Sequence, residues 1–155
     1  MLKKIFTAAV LGASLTLIGC ASTPTEPTPG ESITASNLLQ LQQQTWILSH
    51  LGNLQVTTAT STTNIPSLNF ASDSRVSGAD GCNRLSGSYT ATRDSLSFSQ
   101  MAGTKMACAN KNYVPEKFNQ ALTQVTHYYV YGDTLKLLDR SGNVLLQFTG
   151  SKNPR

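Results

Sequence analysis

From Thr45 onward the chain runs in short stretches rich in β-branched and aromatic residues, separated by clusters of Gly, Asn, Asp and Ser. That is the pattern of half-buried strands joined by tight turns. The stretches predicted as strands are Thr45–Leu51, Leu54–Ala59, Ser67–Ala71, Arg75–Ser77, Arg84–Tyr89, Ser95–Ser99, Thr126–Tyr131, Thr134–Leu138 and Val144–Thr149. Alternation is clearest in the last, where Val144, Leu146 and Phe148 share one face and so belong to the core. Tyr131-Gly132-Asp133-Thr134 and Asp139-Arg140-Ser141-Gly142-Asn143 carry turn chemistry between neighbouring stretches, so the last three strands should form an antiparallel meander. His127, Tyr129 and Tyr131 also share a face, and spacing alone leaves open whether it is core or an aromatic surface.

One segment changes period. From Pro115 to Val125, Phe118, Leu122 and Val125 recur at i, i+4 and i+7, with Ala121 beside them. Pro115 suits a first helical turn and Glu116 complements the positive end of the helix dipole. A shorter helical start is predicted near Ser36, capped by Ser36 or Asn37, with Leu38, Leu39 and Leu41 as its apolar face before a Gln run weakens the pattern. Many short strands with one good helix predict an α+β domain, a curved antiparallel sheet or partly open barrel, and exclude a doubly wound fold.

The first twenty residues read as an address. Lys3-Lys4 precedes an apolar, small-residue run from Ile5 to Ile18, the order of a secretory signal, and the run falls short of the roughly 20 residues a membrane-spanning helix needs. Leu17-Ile18-Gly19-Cys20 at its end resembles the lipobox of bacterial lipoproteins. The resemblance implies a signal peptide over residues 1–19, cleavage before Cys20, and acylation of Cys20 as the site of lipidation. Two or three fatty chains on one residue anchor stably where a single chain does so only marginally. Ala21, rather than Asp, follows the cysteine. By resemblance to Gram-negative sorting this favours the outer membrane, with the domain in the periplasm. Residues 20–37, with Pro24, Pro27 and Pro29 and no aromatic, read as a tether, which leaves 38–150 as the folded domain.

Composition narrows the options further. A chain of 155 residues with 39% apolar and 13% charged residues holds one compact domain and is too apolar for a solvated disordered one. The formal charge of +4 includes Lys3 and Lys4; without them ten basic side chains face eight acidic ones, scattered with no stripe or patch. No nucleic-acid partner is therefore expected. No cofactor fingerprint is present: the glycines around position 81 lack the Gly-Lys-Ser/Thr of a phosphate loop, and Arg84–Tyr89 after them reads as a strand. Gly78, Gly81 and Gly87 are expected to permit tight turns and positive φ, with Asp80 and Asn83 bonding nearby backbone.

Apart from Cys20 there are two cysteines, Cys82 and Cys108, in a chain read as exported to an oxidising compartment. A disulfide is the plain inference. It would close a loop of about 26 residues and stabilise the fold by about 3.5 kcal/mol. A metal site or redox thiol is the alternative, although no Cys-x-x-Cys is present and His50 and His127 show no ligand spacing with the cysteines.

Around Cys82 stands Val76-Ser77-Gly78-Ala79-Asp80-Gly81-Cys82-Asn83-Arg84-Leu85-Ser86-Gly87-Ser88-Tyr89. With Trp46-x-Leu48, Thr104-Lys105-Met106-Ala107-Cys108, the Phe118/Ala121-Leu122 helix, Gly132-Asp133-Thr134-Leu135-Lys136-Leu137 and Val144–Phe148, residues 45 to 149 resemble the META-domain family, including its HslJ-type heat-shock lipoproteins. The resemblance implies a small antiparallel sheet domain, a disulfide between the matching cysteines, and Gly81, Cys82 and Asn83 as the family motif. It also implies roles in envelope stress, secretion or cell-surface interaction, and it supplies no catalytic residue.

The function expected is thus a non-enzymatic, lipid-anchored envelope protein whose partners are the membrane, through acylated Cys20, and an envelope protein or ligand. The alternative is a small disulfide-stapled inhibitor of an envelope hydrolase or protease. A hydrolase would need a serine activated by His50 or His127 and oriented by Asp80, Asp133 or Asp139, yet no Gly-x-Ser-x-Gly elbow is present. Nor do Asp73, Asp80, Asp94, Glu116, Asp133 and Asp139 form a recognisable carboxylate pair, being placed where turns and caps want them.

Overall fold

The computed structural model of the protein describes residues 37–57, 64–108 and 113–151. Among these residues nine strands follow the alternation: β1 Thr45–Leu51, β2 Leu54–Gln55, β3 Ser67–Phe70, β4 Arg75–Ala79, β5 Arg84–Ala91, β6 Leu96–Gly103, β7 His127–Tyr131, β8 Thr134–Leu138 and β9 Val144–Ser151. Residues 37–42 form a short helix, α1. The main helix, α2, is Val114–Gln124.

Every pairing is antiparallel, and the strand order is β6-β5-β4-β3-β1-β9-β8-β7, with the two-residue β2 paired only to β1. Two meanders, β3 to β6 and β7 to β9, thus flank a central β1. Bulges between Leu48 and His50 of β1 and between Ser86 and Ser88 of β5 sharpen the curl. The sheet rolls far enough for its two outer strands to touch at one corner. There Ser95 bridges His127, the Leu96 amide donates to the Thr126 carbonyl (3.1 Å) and the Tyr128 amide to the Asp94 carbonyl (2.9 Å). The result is a half-barrel with one main helix and one short one.

The concave face carries a single core. Trp46, Leu48, Leu68, Phe70, Val76, Leu96, Leu135, Leu137, Leu146 and Phe148 are buried from the strands, and Phe118, Leu122 and Val125 from the α2 stripe. Rings meet edge to face, Phe118 on Phe148 at 6.1 Å and Phe70 on Tyr89 at 5.0 Å, the arrangement that suits their quadrupoles. Pro115 lies in the first turn of α2 with Glu116, and the helix ends where Val125 turns extended and drops its side chain into the core.

Several expectations shift. Strands β4, β5, β6 and β9 run two to four residues further than the pattern predicted, because their ends, rich in Gly and Ala and without apolar-polar alternation, still pair in the ladder. The stretch expected at Leu54–Ala59 is a strand only at Leu54–Gln55, and its last two residues lie outside the described ones. Leu39 is exposed while Leu41 is fully buried, since α1 turns only one edge inward. Val144 is only half-buried, being at the mouth of the β9 strand. Of the three glycines expected at turns, Gly81 alone has a positive φ, +104°. Gly78 and Gly87 lie within strands and serve close approach: a Cβ on Gly78 would sit 1.9 Å from the Ser67 carbonyl oxygen, and one on Gly87 2.5 Å from Met101 Sδ.

Candidate functional site

The turn from β4 into β5 is built on a buried carboxylate. Asp80 is 1% exposed, and its Oδ1 accepts from the backbone amides of Cys82 (2.9 Å) and Asn83 (2.7 Å), which an Asx turn requires. Its Oδ2 accepts from Asn119 Nδ2 of α2 at 2.7 Å and from Asn83 Nδ2 at 3.4 Å. The same Asn119 amide donates to the Pro115 carbonyl at 2.8 Å. One acid therefore both shapes the turn and straps the main helix to it. Gly81 is required here, because its positive φ would strain any L side chain and a Cβ would meet Pro66 at 3.2 Å.

Cys82 and Cys108 form a disulfide with Cα atoms 5.8 Å apart. It pins residues 104–108, which run irregularly and exposed after β6. Asn83 supports that segment from below, its Oδ1 accepting from the Met106 amide (2.9 Å) and the Thr104 hydroxyl (3.4 Å), while Thr104 Oγ1 accepts from the Arg84 amide (3.1 Å). Asn64 Nδ2 donates to the Cys82 carbonyl and lies 4.0 Å from Met106 Sδ. The motif Gly81, Cys82 and Asn83 is thus a junction of four segments.

Beside this junction, on the outer face, lies an open basin of 480 Å³ lined by Asn64, Ile65, Ser67, Ser77, Gly78, Ala79, Arg84 and Leu85. Register explains the grouping. Ser67 pairs with Ala79 and Ala79 with Arg84, so the three form one row across the sheet; the next row holds Asn69, Ser77 and Ser86. Arg84 is exposed and is the basin's charged residue. Among the described residues the side-chain ion pair is Asp73 with Arg75, at 2.6 Å, and Arg84 has none. Past the basin the outer face continues in hydroxyls, with Ser88 Oγ and Ser99 Oγ 2.9 Å apart.

The other groups singled out in the sequence lie apart. The β1 bulge sets Ser49 Oγ 3.1 Å from His50 Nδ1, so one histidine does reach a serine, and that hydroxyl also donates to the Gln147 carbonyl at 3.0 Å. His127 Nδ1 meets the Thr126 hydroxyl at 2.9 Å. Neither imidazole has a hydrogen bond to Asp80, Asp133 or Asp139. Asp139 closes the β8–β9 turn, and the Asn143 side chain, with turn amides behind it, holds its carboxyl below the usual range. Asp73 is lowered by the Arg75 guanidinium. Among the described residues no three His, Cys, Asp or Glu side chains gather as metal ligands would. The face left open by spacing points outward: Tyr129 and Tyr131 are exposed while Tyr128 and Val130 fill the core. Cys20 lies outside the described residues.

Asp80 and the motif are legible in the sequence, whereas Asn119, Asn64 and Arg84 are not. An Asn within a helix is a weak signal, disfavoured there by propensity and so in want of a reason. Arg84 carried none until the strand register placed it beside Ser67 and Ala79.

A family model described as META domain matches residues 39–152. Among solved structures, a protein from Burkholderia xenovorans determined by NMR is 26% identical, with 85% of this chain and 96% of that one covered and a TM-score of 0.59. A second protein determined by NMR is 25% identical over 73% of this chain and 93% of its own, with a TM-score of 0.58. The crystal structure of a DUF4847 family protein from Bacteroides vulgatus shares the fold, with a TM-score of 0.52 at 13% identity, over 74% of this chain and 96% of its own. No curated protein matches the chain.

Proposed function

The chain belongs to the META domain family, and we propose that this member is a non-enzymatic binding module of the bacterial envelope, held to the membrane by lipid on Cys20 and acting in envelope stress, secretion or cell-surface interaction. The observation that carries the reading is the order of the first residues: Lys3-Lys4, an apolar run, Leu17-Ile18-Gly19-Cys20, and then a Pro-rich stretch that leads into the domain. A thioether-linked lipid with an acylated amino terminus supplies enough buried CH₂ groups for stable attachment.

The use of the polar groups in the domain supports binding rather than turnover. Asp80 is committed to Cys82, Asn83 and Asn119, Asp139 to its turn and Asp73 to Arg75, so these carboxylates are engaged in holding backbone in place. A small stapled scaffold with an outward basin is suited to recognition. Mass spectrometry of the mature protein tests the anchor. The expected N-terminal residue is Cys20 bearing diacylglycerol and an acyl chain, and Cys20→Ser should leave an unlipidated chain outside the membrane fraction. An unmodified Cys20 in membrane-bound protein would overturn it.

A further inference from the structure

The basin beside the motif has a chemistry of its own. Arg84 offers a planar fork of donors with no acidic partner among the described residues, and Asp80, the nearest acid in sequence, is turned inward and buried. The position of Arg84 is fixed from behind, since Thr104 Oγ1 holds its amide at 3.1 Å and Asn83 holds the Thr104–Met106 segment. Ser67 Oγ donates to the Ile65 carbonyl at 2.9 Å, which leaves its lone pairs as acceptors. The Asn64 amide nitrogen is engaged with Cys82, which leaves its oxygen to accept. Ser77 stands one row away, exposed, with a hydroxyl that can donate or accept. Ile65 and Ala79 add apolar surface between these polar groups.

A single guanidinium flanked by hydroxyls, an amide oxygen and a small apolar floor fits a ring that carries many hydroxyls and one carboxylate. We propose that this basin binds an acidic sugar, with the carboxylate on Arg84 and the hydroxyls on Ser67, Ser77 and Asn64. The volume of 480 Å³ lies within the range of about 300–1,000 Å³ typical of small-ligand clefts. The proposal deepens the binding-module reading by naming the ligand class, and it gives the family motif a purpose, since the Gly81-Cys82-Asn83 junction presents Arg84 at a fixed place on the sheet. A bidentate pair with a carboxylate gives the site its discrimination.

The test is a nuclear magnetic resonance titration of the purified full-length chain in detergent, following Arg84 Nε and the amides of Ser67, Ser77 and Ala79. Three probes separate the contributions: N-acetylmuramic acid carries ring and carboxylate, N-acetylglucosamine the ring alone, and acetate the carboxylate alone. N-acetylmuramic acid should shift these signals and bind at least about tenfold more tightly than either of the others. Arg84→Gln should reduce its affinity to that of N-acetylglucosamine without moving the melting temperature, and Arg84→Lys should fall between. Equal binding of the two sugars, acetate binding as tightly as the acidic sugar, shifts confined to other surfaces, no binding at all, or an indifferent Arg84→Gln would each overturn the proposal. The anchor stands or falls separately, on the mass of the mature amino terminus.

Discussion

Two helices close the same core, and they are held by different means. α1 is tied by neutral side-chain hydrogen bonds: Trp46 Nε1 donates to the Leu41 carbonyl at 2.8 Å, Gln42 Nε2 to the Tyr89 hydroxyl at 2.7 Å and Asn37 Nδ2 to the Arg93 carbonyl at 3.0 Å. α2 has an apolar stripe of Phe118 and Leu122, one buried carboxylate strap through Asn119 to Asp80, and a disulfide in the segment leading to it. Neutral bonds of this kind contribute about 0.5–1.5 kcal/mol each, while a bond to a buried carboxylate or a covalent closure contributes more. Local opening should therefore begin at the α1 end, whose amides should exchange readily, while the motif end should exchange only near global unfolding.

The largest break comes where the α1 end meets the core. Trp46 is fully buried. Replacing it by Ala removes the ring, leaves a cavity and orphans the Leu41 carbonyl, so Trp46→Ala should cost about 3–5 kcal/mol in urea unfolding. Trp46→Phe keeps most of the volume and should cost far less. If the two variants proved equally destabilised, the hydrogen bond to Leu41 and not the packing would be the chief contribution of the residue.

Reduction of the disulfide attacks the other end. The bond closes a 26-residue separation, and the chain-entropy model assigns it about 3.5 kcal/mol, within the typical range of about 2–4. A Cys82→Ser/Cys108→Ser double variant should therefore melt well below the parent. Hydrogen exchange should show the loss of protection concentrated in the motif and α2 rather than at residues 37–44. Uniform loss across both ends would mean that the two closures are one cooperative unit.

The buried strap is next in size. Asp80→Ala leaves the Cys82 and Asn83 amides and Asn119 without their acceptor, at a cost of about 1.5–3 kcal/mol. Asn119→Ala removes one of these bonds and should cost less. A double-mutant cycle isolates the strap, with an expected coupling of about 0.5–3 kcal/mol. Coupling near zero would show that the strap adds nothing to the packing that holds α2.

How much of this contrast was legible in the chain follows from its physical origin. The strand runs of β1 and β8 stand in the sequence to the residue, because alternation is a local consequence of the pleat. The i, i+4, i+7 spacing of Phe118, Leu122 and Val125 placed the α2 stripe equally well. Asp80 and Asn83 announced a turn, as short polar side chains do. Beyond that, the sequence says nothing of Asp80 reaching Asn119, 39 positions away, or of Asn37 reaching Arg93, 56 away, because such contacts depend on how far the sheet curls. The basin is invisible for the same reason: Ser67, Ala79 and Arg84 become neighbours only through register across β3, β4 and β5. The glycines show the limit from the other side, since Gly78 and Gly87 look like turn residues until the approach of Ser67 and Met101 gives them another role.

The smallest expected effect lies at the corner where the two outer strands touch, near α1. The Tyr128 hydroxyl donates to the Thr92 carbonyl at 2.9 Å, and burial, with Asp94 and Tyr89 behind it, holds the phenol above its ordinary value near 10. The folded state therefore keeps a proton that the unfolded chain gives up first. Stability from this group is fully present below pH 10 and falls as pH rises through the folded value. Tyr128→Phe should cost about 1 kcal/mol at neutral pH, the worth of one neutral bond. Above pH 10 the variant should lose stability less steeply than the parent, because it has no proton to release. Melting curves of both chains from pH 7 to 11 measure this. Parallel curves across that range would show that the corner opens before the phenol titrates, making the α1 end looser than its hydrogen bonds imply and widening its contrast with the motif end.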